Sequence, residues 1–80
     1  MYIETTDYFE RRKHQHGIDT EVVLVALANE VHRERQQDGR IRVWGYVEAF
    51  RKYVRVILLE DGFTMLNAFP NRSSKPPKDR

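Results

Sequence analysis

The sequence predicts an α+β fold of two layers: a short N-terminal strand, two helices, then a three-stranded antiparallel sheet, in the order β-α-α-β-β-β. Residues 40–69 alternate in the period-two manner of strands and are joined by tight connections. Residues 8–37 instead carry helix-capping residues and apolar side chains four apart. Two helices laid on one face of a small sheet leave its other face open.

The elements follow in order. Tyr2 to Thr5 is rich in β-formers and reads as a short strand. Asp7 offers an N-cap with Glu10 three residues on, so a helix is expected from about Tyr8 to Gln15, with Gly17 as its left-handed C-terminal residue. Asp19 or Thr20 can cap a second helix, with Glu21 in its first turn. Val23, Leu27 and Val31 recur at four-residue spacing, so this helix is expected to run on through the polar stretch His32 to Gln37 and close at Gly39. Strands are expected at 40–49, 53–59 and 64–69. Asp61-Gly62 marks one hairpin, since it tolerates the positive φ of tight turns, and Arg51-Lys52 marks the other reversal. Pro70 ends the last strand by removing a donor. Residues 1–70 form one domain on this reading, and 71–80 a basic, disordered tail.

Parity assigns the faces. Ile41, Val43, Gly45 and Val47 share one side of the first long strand, while Arg40, Arg42, Trp44, Tyr46 and Glu48 share the other. In the next strand Val54, Val56 and Leu58 oppose Tyr53, Arg55, Ile57 and Leu59. In the last, Leu66 and Ala68 oppose Met65, Asn67 and Phe69. The open face therefore combines Arg with Trp and Tyr, a mixture suited to phosphates and unstacked bases.

Composition narrows the classes. Eighty residues make one small domain without cysteine, which fits a reducing compartment. Met1 is followed by polar and acidic residues rather than an apolar signal segment, and no apolar run approaches the ~20 residues of a membrane span, so a cytoplasmic protein with no membrane association is expected. The net charge of +2 hides an asymmetry: residues 1–39 carry −3 and residues 40–80 carry +5. The basic half coincides with the sheet, which favours a polyanion there.

Two segments carry a family resemblance. Phe9 to Asp19, FERRKHQHGID, resembles the helix, His-Gly-Ile/Val, helix opening of BrnT-type toxins. Tyr53 to Arg72, YVRVILLEDGFTMLNAFPNR, resembles their final hairpin, closing near Ala-Phe-Pro. Together they cover about 30 of the 80 residues. The order of elements is similar to the RelE/ParE-like toxins and the wider group of barnase, EndoU and colicin ribonuclease domains. The sequence departs from that pattern at Tyr8, where many relatives carry a His, and at Asn67, where many carry Thr or Ser.

The resemblance implies a ribonuclease toxin that cuts RNA, on the ribosome in some relatives, by metal-independent attack of the 2′-hydroxyl, with a protein antitoxin as partner. Such chemistry needs a base, cations for the phosphorane and an acid for the leaving oxygen. Arg42 and Arg55 are expected on one face of neighbouring strands, as a phosphate clamp. Tyr46 and Tyr53 offer protons or stacking, and His16 lies where relatives place an imidazole. Arg40, Arg42, Trp44, Arg51, Lys52, Arg55, Asn67 and Arg72 are the candidate nucleic-acid contacts, with Trp44 as a stacking platform. His14 and His16 point in different directions on a helix and make a poor metal pair, so neither metal nor cofactor is expected. The alternatives are a non-catalytic RNA-, DNA- or protein-binding module on the same fold, and a homo-oligomer joined through Ile57, Leu59, Met65 and Phe69.

Overall fold

The computed structural model describes residues 3–71, and of residues 12–16 the backbone alone. The elements run β1 (Glu4–Thr5), α1 (Asp7–His16), α2 (Thr20–Ala28), β2 (Glu30–Arg35), β3 (Ile41–Val47), β4 (Lys52–Leu58) and β5 (Thr64–Pro70). Strands β2 to β5 form an antiparallel meander, and β1 docks parallel on β5. The result is one five-stranded mixed sheet in the order β1-β5-β4-β3-β2. The α+β class is as expected, but the sheet has five strands where three were expected.

The extra strand is the main correction. His32 to Gln37 is not the end of a helix. The second helix stops at Ala28, and β2 begins at Glu30 with only Asn29 between. Asn29 closes the helix with its backbone N–H on Val25 and Ala26 carbonyls, at 3.1 and 3.2 Å. Its side-chain Nδ2 donates to the Tyr46 carbonyl at 3.1 Å, which ties the reversal to β3. Arg, Glu and Gln are good helix formers, so local preference pointed the wrong way. Pairing with β3 overrides it.

Asp19 caps α2, as expected, by accepting from Val22 N–H at 3.1 Å. The cap of α1 is Thr6 rather than Asp7: its hydroxyl oxygen accepts from Phe9 N–H at 3.2 Å. The same hydroxyl donates to the Leu66 carbonyl at 3.3 Å, so the cap also fastens α1 to β5.

The core lies between the helices and one sheet face. Phe9, Ile18, Val23, Ala26 and Leu27 pack from the helical side onto Ile41, Val43, Val54, Val56, Leu58 and Met65. Met65 was expected on the opposite face. A register shift after Ile57 pairs that residue with Asn67 but Leu58 with Met65, leaving Leu66 as an extra residue in β5. The bulge changes the parity of the strand and turns Met65 inward. Met65 and Ala68 are both buried for this reason, so of the apolar residues Ile57, Leu59, Met65 and Phe69 proposed to join copies of the chain, Met65 is withdrawn into the core while the others stay partly exposed. Past Asn71, the expected disordered tail lies outside the described residues.

Gly45 sets how closely α2 approaches. A Cβ built there would lie 1.7 Å from the Ala26 carbonyl oxygen. That neighbour is backbone, which cannot rotate away. Gly45→Ala is therefore expected to lower the unfolding free energy by about 3 kcal/mol or more, read by urea titration. An unchanged midpoint would remove the contact from the account.

Asp61 organises the β4–β5 turn. Its Oδ1 accepts from the N–H groups of Phe63 at 2.9 Å and Thr64 at 2.8 Å, while Oδ2 accepts from the Thr64 hydroxyl at 2.5 Å. The Thr64 hydroxyl first, then the Thr64 and Phe63 amides, hold this carboxyl below its ordinary value of 3.8. A carboxylate favoured in the folded state stabilises above its unfolded pKa, and the gain disappears as pH falls through the lower folded value. Asp61→Asn is thus expected to be less stable than the parent near neutral pH. The gap should close in acid, below about pH 4, in thermal melts of the two proteins run in parallel.

Candidate nucleic-acid interface

Cross-strand partners share a face, so the register writes out the open side of the sheet in rows. The central row is His32, Trp44, Arg55 and Phe69, one from each of β2 to β5. On one side lies Tyr46 opposite Tyr53. On the other lie Glu34, Arg42, Ile57 and Asn67. At the flank near Ile57 and Asn67, Tyr8 of α1 shares a cleft with these rows.

Arg42 and Arg55 are thereby diagonal neighbours on adjacent strands, facing away from the helices. Arg55 stacks over Phe69, with its guanidinium carbon 4.4 Å from the ring centroid. Its Nε is inaccessible to solvent and has no hydrogen-bond acceptor among the described residues. Burial, and then the positive charge of Arg42, lower the Arg55 pKa from its ordinary value, though a guanidinium stays charged at neutral pH. Arg42 is held from the other side. With the Gln36 amide turned to present its oxygen, that oxygen accepts from Arg42 Nη2 at 3.0 Å and also from Nε. Among the described residues, neither arginine has a carboxylate partner.

The aromatic residues divide. The Tyr46 and Tyr53 rings meet edge to face with centroids 5.2 Å apart and remain half-buried. Trp44 occupies the expected face but is only 2% exposed. The His32 ring packs edge to face against it at 5.2 Å, and Arg55 lies on its other side. Trp44 is therefore a floor on which Arg55 and His32 are set, and not the free stacking platform that the sequence suggested. Phe69, carrying the Arg55 guanidinium, and the tyrosine pair are the rings at the surface.

His32 was placed on the outer side of a helix, and the structure moves it into the central row. Its Nε2 lies 3.2 Å from Glu34 Oε2, so an imidazole with a carboxylate partner stands beside Arg42. The signal was present in the alternation His32, Glu34, Gln36 against Arg33, Arg35, Gln37, which the helical reading of the segment hid.

The remaining candidates divide between the flank of this face and positions away from it. Lys52 pairs with Val47 and takes the parity of the helix-covered side. Arg51 sits in the β3–β4 turn, where it adopts φ 52°. Its N–H donates to the Glu48 carbonyl at 3.0 Å, so its place is set by the turn. Arg40 precedes β3, is exposed and pairs loosely with Asp38 at 3.7 Å. Asn67 lies on the open face next to Ile57. The His16 side chain and Arg72 lie outside the described residues.

In comparisons with known proteins, no family model matches this chain, and neither a curated protein nor a solved structure does. No described helix is long and apolar enough to cross a membrane.

The left-handed conformation at Arg51 costs a non-glycine residue on the order of 1 kcal/mol. Arg51→Gly relieves it, against a smaller gain in unfolded-chain entropy. A stability increase of about 0.5–1 kcal/mol is expected by chemical denaturation. A loss would show that the Arg51 side chain, and not the turn geometry, governs this position.

Proposed function

We propose that the open sheet face binds single-stranded RNA, with Arg42 and Arg55 as the seat of a phosphate. The observation that carries this reading is the pair of neighbouring guanidiniums, neither in an ion pair with a carboxylate among the described residues, although Glu34 stands across the strand from Arg42. Diagonal neighbours stand about 7–8 Å apart, and at an effective dielectric near 20 two unit charges at that distance repel by about 2 kcal/mol. A phosphate set between them converts that repulsion into two attractions. Guanidinium geometry favours bidentate contact with its oxygens, and the half-buried tyrosines and Phe69 provide rings for bases beside it.

A second reading is metal-independent cleavage of that RNA, as in the RelE/BrnT-like toxins that two segments of the sequence resemble. What favours it is the His32–Glu34 pair on the same face, with His32 diagonal to Arg42 and Glu34 directly across from it. Imidazole, carboxylate and two guanidiniums are the group types that 2′-hydroxyl attack uses. In a toxin of this kind the antitoxin would be an acidic segment laid over the same cations.

Binding is measured by fluorescence polarisation of a labelled single-stranded RNA octamer. Arg42→Ala and Arg55→Ala are each expected to weaken it by about ten- to a hundredfold, since a charge-assisted hydrogen bond contributes roughly 1.5–3 kcal/mol. Each should also reduce the slope of log K against log salt by about 0.7. Salt-independent binding, or none, ends the proposal. Incubation of the same protein with total RNA in chelator tests the second reading: cyclic phosphate ends that vanish in His32→Ala support cleavage, and intact RNA leaves binding alone.

A further inference from the structure

We infer that a shallow cleft next to the two arginines is a base-reading subsite that selects guanine over adenine, an inference that rests on the RNA-binding reading above. The cleft, of about 430 Å³, is lined by Tyr8, Gln36, Arg40, Ile57, Leu66 and Asn67. Ile57 connects it to the anion seat, because it pairs with Arg42 on one side and with Asn67 on the other. Arg55 is a diagonal neighbour of Asn67 across the same strands. A nucleotide whose phosphate sits on the arginines therefore has its base beside this cleft.

Apart from the Tyr8 hydroxyl, which can donate or accept, the side-chain groups of the cleft present donors. Asn67 Oδ1 accepts from its neighbour's amide, Ala68 N–H, at 2.9 Å. That bond fixes the orientation of the side chain and leaves Nδ2 without a partner among the described residues. The Gln36 oxygen is taken up by Arg42, and the Leu66 carbonyl accepts from Thr6. Arg40 adds a guanidinium, which has no acceptor atom. Ile57 and Leu66 supply an apolar floor against which a ring can lie.

A site built of donors prefers a base edge built of acceptors. Guanine presents two adjacent acceptors, O6 and N7, and arginine reads that pair bidentately. Adenine keeps N7 but replaces O6 with an amino group, whose hydrogens would face the hydrogens of Asn67 and Arg40. The mismatched base leaves donors unpaired at the edge of an apolar floor, which is the costly outcome. Asn67 thus becomes the specificity-determining residue, held in place by its own backbone.

The test uses the full chain and three labelled probes: an adenosine octamer, the same octamer with one internal guanosine, and the same octamer with one internal inosine, which retains O6 and N7 without the 2-amino group. The guanosine and inosine probes are expected to bind at least about fivefold tighter than the adenosine octamer. Asn67→Asp keeps the oxygen that accepts from Ala68 and exchanges the free donor for an acceptor. It should bring that ratio to one or invert it toward adenine, while Arg42→Ala weakens all three probes and leaves the ratio standing. Equal binding of the three probes by the parent protein overturns the base-reading subsite and spares the RNA-binding reading. Failure of every probe to bind overturns both.

Discussion

The approach of α2 to β3 at Gly45 is the constraint on which the rest of the molecule depends. With no side chain at that point, the helix carbonyl of Ala26 lies against the strand backbone. The helix cannot continue past this crossing, and Asn29 reverses the chain by bonding both to the last turn of α2 and to Tyr46. Glu30 then falls opposite Gly45 itself, and β2 is laid along β3 from there. A larger residue at 45 would push the helix outward, open the core over Val43 and Val54, and remove the point at which β2 starts. The strand that brings His32 and Glu34 to the open face therefore exists because one position in the next strand has no side chain.

The addition of β2 changes what the open face is. A three-stranded sheet would leave Trp44 at its edge. With β2 in place, Trp44 is an interior residue of the sheet, roofed on either side by His32 and Arg55. An indole left exposed would lose on the order of 2–3 kcal/mol of burial, so its packing stabilises the arrangement around it. One consequence is that Arg55 lies across the strand from Trp44 with its guanidinium over the Phe69 ring. A guanidinium held against a ring would, on the proposed reading, have less freedom to lose on binding an anion. A basic patch made of long exposed lysines would have no such preorganisation.

Much of this was legible in the sequence, and the failures have physical causes. Parity placed Arg42, Trp44, Tyr46, Tyr53 and Arg55 on one side, because these strands run without interruption and a period of two is hard to misread. The turn at Asp61-Gly62 followed from chemistry that is local to four residues, and Gly62 adopts φ 82° there. What sequence could not show was non-local. The end of α2 is decided by a contact with residue 45, sixteen positions after Asn29, and nothing in Glu30 to Arg35 resists a helix on its own account. The bulge at Leu66 was invisible for a related reason: alternation in TMLNAF reads smoothly until Leu58 and Ile57 impose their pairing. Trp44 was assigned to the correct face and the wrong environment, since parity fixes direction but says nothing of what neighbours will cover.

The balance between binding and chemistry turns on where the proton-transfer groups stand. Tyr46 and Tyr53 were offered for that task, but their rings are packed against one another and occupy the row beyond Trp44 and Arg55. The row beyond them is already the hairpin turn, so a scissile phosphate on Arg42 and Arg55 would have a phenol on one flank only. The opposite flank is where β2 contributes. His32 is held by Glu34 and by the edge of Trp44, and an imidazole so placed suits the role of general base better than a phenol. On the proposed reading, cleavage chemistry on this face would run through the strand that the helical reading of the sequence concealed, and the tyrosine pair would serve as a platform for the neighbouring base.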